Sequence, residues 1–221
     1  MSSLLAERLR LIVITDERVP WPEQRPRLAA ALAAGAPAVQ LRDKTSSTRT
    51  LVERACELRA LTAAHGALLF VNDRLDVALA AGADGVHLGD DDLPLEAARR
   101  WAPPGFLIGR SADTLAQAQE AAAASADYVG VGPVFATPTK PDAGPPLGIA
   151  GVGAVARAVP VPVVAVGGVE PAHAAALFAA GVAGVALVRG VVRASDPAAV
   201  VRLILAAAAS LPPAPTNEAG A

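Results

Sequence analysis

The chain has 221 residues, enough for one α/β barrel or one larger α/β domain, and its 53% apolar content lets it bury a sizeable core. Aromatics make up only 3%, so that core must be built from Ala, Val, Leu and Ile. A formal net charge of −2, from 19 basic and 21 acidic residues, provides no general field for nucleic acid or an anionic membrane, and one cysteine excludes an internal disulfide.

The N-terminal segment MSSLLAERLRLIVITDE is too charged for a signal peptide, and no run of about 18 apolar residues offers a membrane span, so a soluble, cytoplasmic protein is expected. Arg10 to Thr15 reads as a buried parallel strand. Trp21 begins a helix that runs to about Ala34, stopped by Gly35 and Pro37. Ala38 to Leu41 is a second strand, ending in Arg42-Asp43-Lys44. Ser46 or Ser47 caps a long helix to about His65, which Gly66 ends. Cys56 lies in this helix and is expected to be a small buried hydrophobe. Leu68 to Val71 is a third strand, followed by Asn72-Asp73 and an Ala-rich helix. Val86 to Leu88 is a fourth, followed by Gly89 and three aspartates. Pro94 to Trp101 is a short helix with Pro in its first turn. Phe106 to Gly109 is a fifth strand, with Arg110, Ser111 and Ala112 at its exit, and Asp113 or Thr114 caps the next helix. Tyr128 to Val131 is a sixth. The Gly/Pro/Thr-rich stretch from Gly132 to Gly148 is too long for an ordinary connection and is expected to be a lid or binding loop. A helix from about Ala150, a seventh strand from Val161 to Val166, a helix from Pro171 to Gly181 and an eighth strand from Gly184 to Val188 follow. Asp196-Pro197 opens the last helix, to about Ser210.

Eight strands alternating with eight helices predict a single (β/α)8 TIM barrel over residues 1–210, with a disordered tail over 211–221. The turn Ala-Ala-Gly followed by a short apolar run recurs three times, as AAGAPAVQL, AAGADGVHL and AAGVAGVAL.

In such a barrel the site forms at the C-terminal ends of the strands. Gln40, Arg42 and Lys44 stand there, with Asn72, Asp73, His87, Asp90 to Asp92, Ser111, Thr137, Thr139, Lys140, Gly167-Gly168 and Val188-Arg189-Gly190. Alternation aims Gln40 and Arg42 to the same side. Acidic residues at the exits of adjacent strands three and four suit a hard divalent cation such as Mg²⁺. Capping is the plainer role for Asp73, and of Asp90 to Asp92 one is expected to cap and one to function. Two cations, an amide, carboxylates and a hydroxyl describe a Mg²⁺–polyphosphate pocket. Gly167-Gly168 and the turn after strand eight form a second phosphate site, and a tight turn is the alternative for the glycine pair. Lysine is rare: Lys44 and Lys140 are the only two, both after strands. Lys140 also admits Schiff-base chemistry, though the neighbouring Thr-x-Thr favours phosphate. His87 reads as a partly buried support, and His65 and His173 as surface residues. No zinc spacing and no Ser-His-Asp triad can be assembled.

From about Leu11 to Leu205 the chain resembles the thiamine phosphate synthase family. The resemblance lies in QLRDK (Gln40 to Lys44), VNDRLDVALAAGADGVHLGDDDLP, GRSADT (Gly109 to Thr114), GPVFATPTK (Gly132 to Lys140) and VAVGGV (Val164 to Val169). It implies a Mg²⁺-dependent transferase of thiamine biosynthesis. A hydroxymethylpyrimidine diphosphate would lose pyrophosphate through a pyrimidine carbocation while a hydroxyethylthiazole phosphate nitrogen attacks the methylene carbon. By position, Gln40 would contact the pyrimidine, and Arg42, Lys44, Asn72, Ser111 and Lys140 the diphosphate. Asp73 and Asp92 would ligate Mg²⁺. Thr137, Pro138, Thr139, Gly168 and the Val188-Arg189 turn would hold the thiazole phosphate. The partners expected are phosphorylated small molecules, with no nucleic acid and no membrane; a homo-oligomer is allowed. Three departures stand out. Asp90 replaces the family's usual Gln, Asp113 its frequent His, and Arg189-Gly190 its usual Ser-Ala. They leave two alternatives, a thiazole tautomerase-like isomerase and a non-catalytic regulatory paralogue.

Overall fold

A computed structural model describes residues 2–137 and 144–210. Within them eight parallel strands close into a barrel in sequence order. They are β1 (Leu11–Ile14), β2 (Ala38–Leu41), β3 (Leu68–Asn72), β4 (Gly85–Leu88), β5 (Leu107–Ala112), β6 (Tyr128–Val131), β7 (Val163–Ala165) and β8 (Gly184–Leu187). The ring closes where Leu11 of β1 pairs with Val185 of β8. Around it run α2 (Trp21–Ala33), α3 (Thr48–Ala64), α4 (Leu75–Ala80), α5 (Leu95–Trp101), α6 (Leu115–Ala123), α7 (Gly148–Ala158), α8 (Ala174–Ala179) and α10 (Pro197–Ala209).

Strand alternation divides the core in two. Leu11, Val13, Val39, Leu41, Leu69, Val71, Val86, Ile108 and Val129 face outward and pack under the helices. Ile12, Ile14, Ala38, Leu68, Phe70, Tyr128, Val164 and Ala186 fill the lumen. The outer layer is aliphatic, as composition requires. The lumen departs from that expectation, since Phe70 and Tyr128 meet there edge to face with ring centroids 5.3 Å apart. Two elements were not foreseen. Helix α1 (Ser2–Arg8) and the residue after it set Leu5 and Leu9 against the lumen cluster from the strands' N-terminal side, and α9 (Arg189–Val192) is one turn directly after β8.

Local signals explain most boundaries. Ser47 accepts from Thr50 N at 3.2 Å, and Asp196 accepts from Ala199 N at 2.9 Å. Thr114, not Asp113, caps α6, accepting from Gln117 N at 3.2 Å. The recurrent turn places Gly35, Gly82 and Gly181 at φ +96°, +63° and +102°, the left-handed ends expected of them. Helix α3 buries Leu51, Ala55, Leu58 and Thr62; Cys56 falls off this stripe and is exposed, against expectation. The segment from Pro171 opens as a 3₁₀ turn, Pro171–His173, before α8. Strand β5 runs three residues past Gly109 because its ladder with β6 continues through Ser111↔Gly130 and Ala112↔Val131. Among the described residues no helix is long and apolar enough to cross a membrane.

Candidate active site at the barrel mouth

The lumen rows carry the site residues up to the mouth. Gln40 and Arg42 continue the row of Ala38, Asn72 continues that of Leu68 and Phe70, and Ser111 follows Leu107 and Gly109. Arg42 is pinned through its backbone: Thr15 Oγ1 accepts from Arg42 N at 2.7 Å and donates to Arg42 O at 2.8 Å. Its guanidinium lies 3.6 Å from Glu17 Oε1, and Glu17 Oε2 accepts from Lys44 N at 2.7 Å. Between them Asp43 accepts from Thr45 N at 2.9 Å and Ser46 N at 3.0 Å and pairs with Arg54. Burial opposes its ionisation, but the Ser46 hydroxyl and the bonds from Thr45 and Ser46 N–H outweigh burial and hold its pKa down to about 2.

The two carboxylates expected to hold a cation do converge. Asp73 and Asp92 are within hydrogen-bonding reach of each other, and Lys44 Nζ lies 3.2 Å from Asp73 Oδ2. Burial first, and then Asp92, push the Asp73 carboxyl up to about 6; Lys44 acts in the opposite direction. Asp73 is not a helix cap. Arg74 occupies the N-cap position of α4, and Asp73 itself sits at φ +65°, its N–H donating to His87 O at 2.8 Å. None of Asp90 to Asp92 caps α5 either, because Pro94 holds that position without a side-chain bond. Asp92 Oδ2 instead accepts from Gly89 N at 2.6 Å, which turns its carboxylate toward Asp73. Asp90 turns away from the pair, to Arg110 at 3.1 Å and Gln117 Nε2 at 3.1 Å. Among the described residues no three His, Cys, Asp or Glu side chains cluster as a protein-only metal cage. Two facing carboxylates still fit Mg²⁺, which keeps most of its shell for water and phosphate.

Beneath the charges lies a neutral line. His87 Nδ1 is 3.0 Å from the Tyr128 hydroxyl and His87 Nε2 is 3.0 Å from Ser111 Oγ. Burial lowers the His87 pKa to about 4; Asp92 opposes the shift and Arg110 adds to it. His87 is thus a neutral support, as expected. Burial pushes the Tyr128 phenol up, partly offset by a bond from Gln40. Tyr128 and Glu17 were not foreseen. The signal for Tyr128 was its being the chain's one tyrosine at the start of a strand; for Glu17 there was none beyond its place after β1.

On the opposite rim Gly167 and Gly168 adopt φ +89° and +66°. A Cβ on Gly167 would lie 2.7 Å from Pro133 Cα, and one on Gly168 would lie 2.7 Å from Phe135 O. The glycine pair therefore makes room for the protein's own β6 loop, whose Phe135 N donates to Gly167 O at 3.0 Å. Val188 stands at the N-cap of α9, and Arg189 is exposed beside it. The Arg193 guanidinium grips buried Asp16 at 2.6 and 2.8 Å, tying the end of α9 to the exit of β1. Thr137 is half-buried; Pro138, Thr139 and Lys140 lie outside the described residues, as does the tail over 211–221.

Residues 11–191 match the family model of thiamine monophosphate synthase. The thiamine-phosphate synthase of Methanoculleus marisnigri is 50% identical over 193 residues, 87% of this chain and 92% of that one. A bifunctional thiamine biosynthesis protein of Symbiobacterium thermophilum is 48% identical over 91% of this chain, which spans only 41% of that longer protein. The solved thiamine phosphate pyrophosphorylase of Pyrococcus furiosus superposes with a TM-score of 0.84 at 38% identity, covering 93% of this chain and 98% of that one. With these likenesses over nearly the whole barrel, the chain belongs to the thiamine monophosphate synthase family.

Proposed function

We propose that the chain is a thiamine-phosphate synthase that works through the charged mouth just described. It is a transferase. The bond between the pyrimidine methylene carbon and the diphosphate oxygen breaks, the thiazole phosphate's ring nitrogen bonds to that carbon, and pyrophosphate leaves. One observation carries the reading. Cations (Arg42, Lys44), an amide (Asn72), a hydroxyl (Ser111) and two facing carboxylates (Asp73, Asp92) crowd the ends of neighbouring strands β2 to β5.

Departure of pyrophosphate concentrates negative charge on the leaving oxygens, so groups fixed there before the reaction stabilise the transition state more than the ground state. Arg42 and Lys44 supply charge, and Ser111 and Asn72 supply donors; Lys140 joins this set by position. Asp73 and Asp92 would hold Mg²⁺, which when bound supplies further charge neutralisation at the diphosphate. Gln40, 4% exposed, orients the pyrimidine at the lumen's upper end. Thr137, Gly167, Gly168 and the Val188-Arg189 turn take the thiazole phosphate on the opposite rim, and Pro138 and Thr139 join this set by sequence position alone. Asp90 pairs with Arg110 and so leaves the cation site undisturbed. Asp113 stands where the tautomerase alternative needs an imidazole.

The test is direct. Purified chain, Mg²⁺, hydroxymethylpyrimidine diphosphate and hydroxyethylthiazole phosphate should release pyrophosphate and thiamine phosphate together. Ligand binding without pyrophosphate release would favour the regulatory paralogue.

A further inference from the structure

Four side chains from four strands meet across the lumen just below the charged mouth. They are Gln40 of β2, Tyr128 of β6, His87 of β4 and Ser111 of β5. Tyr128 Oη lies 3.0 Å from His87 Nδ1, and His87 Nε2 lies 3.0 Å from Ser111 Oγ, with the Gln40 side chain beside the Tyr128 hydroxyl on the far side and favouring its ionised form. The fold vacates space for this crossing. A Cβ on Gly109 would stand 2.2 Å from Tyr128 Cζ, and one on Gly130 would stand 2.9 Å from His87 Cε1. Neither glycine has a positive φ, so room for the line, not backbone freedom, is what those positions require.

A neutral imidazole has one donor and one acceptor, and each hydroxyl has one proton. The line can therefore run in only two senses. In one, the Gln40 amide donates to the Tyr128 oxygen, Tyr128 O–H donates to His87 Nδ1, and His87 Nε2–H donates to Ser111 Oγ. The Ser111 proton is then left to point into the mouth. In the other sense every bond reverses, Ser111 O–H donates to His87 Nε2, and the Ser111 lone pairs face the mouth. An anion there is compatible only with the first, because an oxyanion needs a donor.

We propose that His87 and Tyr128 are positioning residues which fix the Ser111 hydroxyl as a hydrogen-bond donor to the substrate's diphosphate, through a one-directional line of hydrogen bonds. The line runs from beside Gln40, which orients the pyrimidine, to Ser111, which holds the leaving group. This rests on Ser111 being a diphosphate ligand, as read above.

The test uses the full chain labelled with ¹⁵N-histidine and Mg²⁺-pyrophosphate as probe. Long-range ¹H–¹⁵N correlation should show His87 protonated at Nε2 and bare at Nδ1, with and without pyrophosphate. Tyr128→Phe, which removes the hydroxyl and keeps the ring, should weaken pyrophosphate in calorimetry by about tenfold, the scale of one charge-assisted hydrogen bond. It should also raise KM for the pyrimidine diphosphate more than it lowers kcat. His87→Gln, which retains an N–H able to face Ser111, should recover more affinity than His87→Leu. An Nδ1-protonated His87, or unchanged pyrophosphate affinity in Tyr128→Phe, overturns the line while leaving the synthase reading intact. Failure of the unmutated chain to bind pyrophosphate overturns both, and is distinguished by needing no variant.

Discussion

Asp73→Asn should make the ligand-free protein more stable while removing its activity. The Asp73 carboxyl has its pKa raised from 3.8 to about 6, by burial and by Asp92. A carboxyl whose pKa is higher folded than unfolded binds its proton more tightly in the native state. The stabilisation is complete below 3.8 and is lost as pH rises through about 6, so at pH 7 the ionised group costs up to about 3 kcal/mol. Asparagine removes that cost, can donate to Asp92, and tolerates the φ of +65° that alanine would not. It gives up the Lys44 pair, but the Lys44 side chain is 57% exposed and the pair contributes at most about 1 kcal/mol. The net gain at pH 7 is on the order of 1–2 kcal/mol, or a melting point raised by about 2–8 °C for a chain of this size. Thermal unfolding with chelator at pH 7.5, 6 and 5 should show the advantage of the variant shrinking as pH falls. Added Mg²⁺ should raise the melting point of the unmutated protein only, and pyrophosphate release should fall at least about a hundredfold in the variant, the loss of roughly 3 kcal/mol of transition-state binding. A variant that melts lower at pH 7.5, or an advantage independent of pH, refutes the reasoning.

Two further changes separate chemistry from packing. Ser111→Ala removes a donor to the diphosphate and should reduce kcat/KM by about 10–100-fold, with the melting point moving by only a few degrees; steady-state kinetics beside a melt checks this. Gly109→Ala places a Cβ 2.2 Å from the Tyr128 ring and should destabilise by about 1–3 kcal/mol, measured by denaturant unfolding.

The barrel was legible because lumen and outer rows alternate on every strand and because each helix end repeats one glycine turn. The shared direction of Gln40 and Arg42 followed from that parity, and Asn72 and Ser111 from their places at strand exits. What could not be read was direction within a loop. Asp90 and Asp92 are near neighbours in one acidic run, and the sequence does not say which turns inward. The structure decides it through Arg110, whose placement depends on β5 continuing past Gly109, and through Gly89 N, which turns Asp92 back. Capping is the plainer alternative for Asp73 that the sequence leaves standing beside a functional role, and Arg74 at the cap position removes it. Tyr128 is not legible because its hydrogen-bond partner His87 comes from β4, two strands away in the ring, and nothing local in YVGV signals that Gly109 and Gly130 make room for a crossing. Cys56 was misplaced by taking helix membership for burial; its angle on the helix was the deciding quantity.

The mouth already balances its own charge, which leads to a last expectation. Arg42 faces Glu17 at 3.6 Å and Lys44 faces Asp73 at 3.2 Å. A diphosphate therefore exchanges partners with carboxylates instead of meeting bare cations. Glu17 is not in the cation pair, so its hold on Arg42 opposes the ligand without helping Mg²⁺. Glu17→Gln keeps an acceptor for Lys44 N and removes the competing charge. Both side chains of the Arg42 pair are about one-fifth exposed, at 17% and 22%, so the competition is on the order of 1 kcal/mol and Mg²⁺-pyrophosphate should bind about 2- to 5-fold tighter. Calorimetric titration at two salt concentrations measures it, and the gain should be smaller at high salt. If the variant binds more weakly, Glu17 holds Arg42 in its binding pose and the charges at the mouth assist one another instead of competing.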